Sequence, residues 1–219
     1  MEVGGSNPPS PTKKDHIIVM KKIACFDLDG VVVHEHQPFS QRLIEKQGSE
    51  IIPAVNDFFE NHFGKVMTGS AGLIESLEPY LERFHWSGDV ESLLSFWFDG
   101  EKSPNNEVLN IVENVRGRNI ATYLVTDNPK ERVVEYWEDF LGQYFAGRYV
   151  SGETGLKKSK VALWDMIAKE SGVVKEAIFF TDDDEENIEI ARFAGVHAVL
   201  FTGAQKLNDD LTEFLSNES

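Results

Sequence analysis

Ile23-Ala24-Cys25-Phe26-Asp27-Leu28-Asp29-Gly30-Val31 is an apolar run that turns abruptly polar, with two carboxylates one residue apart. The run reads as a strand buried on both faces, which places it in a parallel sheet. The carboxyl ends of such strands are where open α/β sheets hold ligands. Alternation along an extended chain points Asp27 and Asp29 the same way, and Gly30 supplies the backbone freedom to leave the strand sharply. Taken alone, Asp-x-Asp-Gly also suits an ordinary turn, because Asp and Gly favour turns.

Three more segments repeat the pattern. Ile120 to Val125 reads as a buried strand that ends in Thr126-Asp127-Asn128. Gly155-Leu156-Lys157-Lys158-Ser159 is a basic loop that opens an amphipathic helix over 159–171. Ala177 to Thr181 is a third apolar run, and it terminates in Asp182-Asp183-Asp184-Glu185-Glu186-Asn187. An acid pair, a hydroxyl, a lysine and an acidic cluster each follow a strand or open a helix, as a phosphoryl-transfer site requires.

The four segments, in this order, resemble the signature motifs of the haloacid dehalogenase superfamily. Asp27-Leu28-Asp29-Gly30-Val31 is similar to the first motif, Thr126 to the second, Lys158 to the third, and Asp182-Asp183 with Asn187 to the fourth. The resemblance spans about residues 22–202, and the segment from Ile178 to Phe201 looks most like small hydrolases with a helical cap, sugar-phosphate phosphatases among them. Two positions depart from the pattern: Asp127 stands where Asn is usual, and Ser159 follows the lysine where Pro is usual. The acid at Asp29 resembles phosphatases and mutases, since dehalogenases lack it. Val31 stands where the transport ATPases have Thr.

The resemblance implies a Mg²⁺-dependent phosphomonoesterase that works through an aspartyl-phosphate. Asp27 would be the nucleophile, Asp29 the proton carrier, and Lys158 the fixed positive charge. Thr126, Asp127 and Lys158 would surround the phosphate, and Asp27, Asp29, Asp182 and Asp183 would form the metal region. The physics agrees. A carboxylate approaching a phosphate dianion at about 4 Å is opposed by roughly 4 kcal/mol per charge pair at an effective dielectric near 20, and the second charge doubles it. A hard cation with oxygen ligands offsets that repulsion. Because side chains alternate, the Asp127 carboxylate is expected to turn away from the substrate and order the amides around Asn128 to Lys130.

Other groups receive plainer readings. Asp184, Glu185 and Glu186 suit the first turn of a helix, whose dipole favours acids. His34-Glu35-His36 lacks a third ligand at a recognisable spacing and reads as a segment beside the site. Phe96-Trp97-Phe98 suits either a substrate pocket or packing at a helix end.

The chain has 219 residues, enough for one main core and a small insert. Its 37 acidic and 21 basic residues give a formal charge of −16, which disfavours nucleic acid as a partner. One cysteine, Cys25, excludes an internal disulfide, and no run is long enough to span a membrane, so a cytoplasmic location is expected.

Residues 1–20 contain Gly4-Gly5-Ser6-Asn7-Pro8-Pro9-Ser10-Pro11 and read as a flexible segment. The predicted fold is an α/β, Rossmann-like parallel sheet built from 21–37 and 104–219, with a helical cap over 38–103. Cap helices are expected over 53–63, 71–84 and 90–98, and core helices over 105–116, 130–141, 159–171 and 207–215. Strands are expected also near 148–151 and over 197–201. Competing readings are a phosphotransferase or mutase of the same superfamily, a non-catalytic protein on this scaffold, and a receiver domain, whose acid pair comes first and whose nucleophile lies mid-chain.

Overall fold

A computed structural model describes residues 21–217, so the segment 1–20 lies outside the described residues. Among those residues one sheet forms from β1 (Ile23–Phe26), β2 (Ala121–Thr126), β3 (Gly147–Val150), β4 (Ile178–Asp182) and β5 (His197–Leu200). Every pairing is parallel, and the spatial order is β3-β2-β1-β4-β5. The fold is therefore α/β and Rossmann-like, as the strand readings predict.

The helices are α1 (Phe39–Gln47), α2 (Ile52–Asn61), α3 (Phe63–Val66), α4 (Leu73–Leu77), α5 (Val90–Asp99), α6 (Asn106–Gly117), α7 (Lys130–Asp139), α8 (Ser151–Thr154), α9 (Val161–Ser171), α10 (Glu185–Phe193) and α11 (Ala204–Ser216). Alternation in β1 divides the core between the two faces of the sheet. Ala24 and Phe26 join a cluster with Val108, Val112, Leu207 and Phe214, whereas Ile23 and Cys25 pack with Trp164, Ile167, Ile188 and Ala191. α6 and α11 thus cover one face and α9 and α10 the other. Each fully buried Phe or Leu contributes roughly 1.5–3 kcal/mol relative to exposure.

Helices α1 to α5 form an insert between β1 and α6. Its two connections run side by side: Val33 bridges Pro104 in antiparallel fashion, and the His34 N–H donates to Ser103 O at 2.8 Å. Asn105 fastens the return, donating its N–H to Val32 O and its side-chain amide to Val31 O.

The insert departs from the sequence reading in three places. α1 lies where the sequence reading names no helix; it buries only Phe39 and Leu43, four residues apart, and no side chain caps its start. The helix expected over 71–84 is instead the short α4 followed by a 3-10 turn over Glu78–Tyr80, where Pro79 removes a backbone donor. The helix expected to run to Phe63 breaks at His62, whose φ is −121°.

Candidate active site

β1 is central, and the chain leaves it for β2 and β3 before crossing to β4 on the other side. The crevice between the ends of β1 and β4 is therefore a topological switch point, where such sheets bind ligands. Asp27 follows β1 and donates its N–H to Thr181 O at 3.0 Å; Asp182 ends β4. Both carboxylates are buried, at 3% and 0% exposure.

Lys158, from the loop before α9, bridges them. Its Nζ lies 2.8 Å from Asp27 Oδ1 and 2.7 Å from Asp182 Oδ2. Both are close contacts between opposite charges. Asp182 Oδ1 accepts the Asp184 N–H at 2.9 Å, and Oδ2 accepts from Asn187 Nδ2 at 3.2 Å. Oxygens of Asp27, Asp182 and Asp183 lie within 4.8 Å of one another.

Burial pushes the Asp27 carboxyl well up, and the neighbouring Asp182 charge adds to this, while Lys158 opposes. For Lys158, burial alone would lower its proton affinity, but Asp27 and Asp182 outweigh it and raise the ammonium above its ordinary value. The lysine is thus a permanent cation. Asp183 is raised too, first by loss of water contact and then by Asp182.

Asp29 has a different environment. Arg132, on α7, grips it bidentately: Nη1 donates to Oδ2 at 2.8 Å and Nη2 to Oδ1 at 2.6 Å. Asn128 Nδ2 also donates to Oδ2, at 2.8 Å. Burial would raise the Asp29 carboxyl, but the Arg132 charge and these hydrogen bonds hold it below the usual carboxylate range. Behind Arg132 stands the buried Glu101, 3.4 Å from its Nε. Glu101 accepts the Phe39 N–H and the Trp97 Nε1–H, each at 3.0 Å, so one carboxylate joins the insert to the arginine.

Thr126 is buried, and its hydroxyl accepts from Asn128 Nδ2 at 2.7 Å. Asp127 departs from the expected geometry. Its Oδ1 accepts the Lys158 N–H at 3.0 Å, not the amides of residues 128–130, and it lines the cleft beside Thr126. β2 ends at Thr126, so strand alternation does not extend to the next residue.

The cleft holds about 640 Å³; Asp27, Asp29, Thr126, Lys158 and Asp183 line it, and Lys157, Glu35 and His36 also face it. Gly30 has φ +73°, and a Cβ there would overlap the Asp183 carboxylate. The acid predicted for the metal region at Asp29 is turned to Arg132, so the oxygens grouped for a cation are those of Asp27, Asp182 and Asp183. That set is hard, and with Lys158 it carries a formal charge of minus two, which suits a divalent cation such as Mg²⁺.

The family model of the haloacid dehalogenase-like hydrolases matches residues 21–195. The chain belongs to that family. The comparison with curated proteins finds no matching sequence. Among solved structures, a haloacid dehalogenase family enzyme of Bacteroides thetaiotaomicron is similar, with a TM-score of 0.72 and 17% identity over 83% of this chain and 93% of its own. That enzyme has also been solved in complex with magnesium and inorganic phosphate. A predicted HAD-like hydrolase of Porphyromonas gingivalis aligns at 0.68 with 19% identity, covering 90% and 99%. A putative beta-phosphoglucomutase of Thermotoga maritima aligns at 0.57 with 18% identity, covering 88% and 99%.

In this hydrolase, sequence reasoning missed Asn128, Arg132 and Glu101. The available signal was faint: Asn128, Arg132 and Tyr136 recur every four residues, the last two on α7 and Asn128 just before it, and Arg132 Nη1 donates to Asn128 Oδ1 at 2.6 Å. Of the aromatic triplet, Trp97 faces a second cavity, whereas Phe98 is core. His36 lies 3.6 Å from Glu101, and the three-residue segment gathers no metal ligands.

Proposed function

We propose that this haloacid dehalogenase-like hydrolase is a Mg²⁺-dependent phosphomonoesterase acting on a small phosphorylated metabolite. The observation that carries the reading is Lys158 seated between two buried carboxylates at the ends of β1 and β4, with a second acid, Asp29, two residues beyond the first. The phosphate-bound structure of the Bacteroides enzyme supports it.

Asp27 attacks phosphorus in line, forming the aspartyl-phosphate as the bond to the leaving oxygen breaks. Asp29 gives that oxygen a proton, then takes one from the water that hydrolyses the acyl phosphate, which restores the Asp27 carboxylate and releases inorganic phosphate. Arg132 holds Asp29 ionised, the form required for the second step. For the first step the approaching dianion raises the proton affinity of Asp29, because a like charge disfavours ionisation. Thr126 and the adjacent amides hold the non-bridging oxygens, and Asp127 fixes the Lys158 backbone. Asp27, Asp182 and Asp183 would hold Mg²⁺, which neutralises charge on nucleophile and phosphate. The insert acts as a cap, over 38–103, that excludes water and reads the leaving group. Among the described residues no helix is long and apolar enough to cross a membrane; the buried thiol of Cys25 fits a reducing, cytoplasmic compartment.

The test is phosphate release from a panel of phosphorylated metabolites, with and without Mg²⁺. Release that requires Mg²⁺ and vanishes in Asp27→Asn is expected. No release from any compound sinks the reading, and phosphate transfer between sugars without release identifies a mutase instead.

A further inference from the structure

Beside the phosphate cleft lies a second cavity of about 230 Å³, and His36 and Asp127 line both. One wall is a helical stripe, Phe59, Phe63 and Met67, spaced four residues apart along α2, α3 and the residue after it. The other is Trp97 stacked on Phe39, with ring centroids 4.2 Å apart and planes 9° from parallel. Phe59 and Phe63 approach Trp97 at 6.1 and 5.6 Å between centroids, so the rings form a box.

Of the polar side chains that line this cavity, Glu101, Arg132 and Asn128 are engaged with one another, and Ser40, His36 and Asp127 line it as well. Glu101 is taken by the Phe39 amide, the Trp97 indole and Arg132; Arg132 is taken by Asp29 and Asn128; and the Asn128 amide is taken by Asp29 and Thr126. Those three leave few donors or acceptors for a ligand's hydroxyls, and each hydroxyl placed against them or the rings without a partner is penalised. A cavity of about 150 Å³ lined by apolar side chains accommodates benzene, so this space takes a six-membered ring with a short substituent.

Resting on the phosphomonoesterase reading, we infer that the second cavity is the leaving-group subsite and that the substrates are monoesters with an apolar leaving group of about aryl size, not polyhydroxylated sugar phosphates. The phosphate enters the cleft at Asp27, and the ester oxygen lies near Asp29, whose clamp, Arg132, also lines the box.

The experiment measures binding of benzylphosphonate and methylphosphonate, neither of which is hydrolysed, to the Mg²⁺-loaded protein by calorimetry. Benzylphosphonate is expected to bind at least about tenfold tighter, the scale on which apolar pockets discriminate. That ratio should fall below about threefold in Phe63→Ser and persist in Phe63→Leu. Using the ratio within each protein removes any general loss from misfolding. Equal affinities for the two phosphonates in the wild type, or a ratio unchanged in Phe63→Ser, overturn the inference whether or not the protein is active. In parallel, kcat/KM for benzyl phosphate is expected to exceed that for glucose 6-phosphate. The reverse preference overturns the inference and leaves the phosphatase reading standing, whereas a high binding ratio without release from either ester sinks the phosphatase reading alone.

Discussion

The carboxyl edge of the sheet and the face of the insert that looks onto it are built from opposite materials. The edge gathers Asp27, Asp182 and Lys158 out of water and balances them against one another. The insert turns rings toward the adjoining cavity and ties the Glu101 carboxylate to its own Phe39 amide and Trp97 indole. On the phosphomonoesterase reading proposed above, charge handles the part of a substrate common to every phosphomonoester, and shape handles the part that varies. A mutation in the first region should damage turnover of every ester, and one in the second should change which ester is preferred.

The strongest way to break that contrast is at Lys158. Lys158→Ala should lose about 2–4 kcal/mol of transition-state stabilisation, roughly 30- to 1,000-fold in kcat/KM, with every substrate. Lys157→Ala should lose far less, because Lys157 lines the cleft without touching the acids. Equal losses in the two variants would show that the charge at the edge is diffuse. Next comes Arg132, where the regions meet. Arg132→Lys keeps the charge and loses the fork, so kcat should fall by about 10- to 100-fold, or roughly 1.4–2.7 kcal/mol, while Mg²⁺ affinity from calorimetry stays within about threefold. An undiminished kcat would mean that the grip on Asp29 is structural only.

A smaller effect is expected at Asp127. An amide oxygen can accept the Lys158 N–H as a carboxylate does, so Asp127→Asn should change kcat/KM by less than about tenfold, under 1.4 kcal/mol. A larger loss would place its charge in the reaction. The smallest effect lies in the insert. Hydrogen bonds from Asn61, Tyr80 and Arg83 hold the half-buried Asp57 carboxyl at about 2. The stability it contributes is complete above the ordinary carboxylate value and disappears as pH falls toward 2. Asp57→Asn should flatten the decline of Tm between about pH 4 and 2; an unchanged decline would assign the acid sensitivity to the buried edge.

Legibility followed the same division. Strand ends could be read because apolar runs broke into Asp27, Thr126 and Asp182, residue types that buried strands avoid unless the sheet edge holds them. Spacing from Gly155 and Trp164 favours Lys158 over Lys157 in the sequence itself. The insert was harder. α1 carries two buried residues and no cap, and Pro79 cut a periodic stretch that looked continuous. Arg132 was hidden because an arginine four residues from an asparagine is ordinary on any helix; what distinguishes it is Asp29, brought from far along the chain. The stripe of Phe59, Phe63 and Met67 was hidden for a similar reason, since core and pocket rings share one periodicity.

Lys158 also bears on the order of assembly. Residue 23 pairs with residues 121 and 178, so Asp27 and Asp182 meet only when distant parts of the chain have joined. Bringing two bare carboxylates together would oppose that late step, which loop closure already makes slow. A tethered ammonium arriving with the loop before α9 acts as a built-in counterion. The chain can thereby close its sheet ahead of any encounter with a divalent cation, and loading becomes a binding equilibrium of the folded protein instead of a condition for folding.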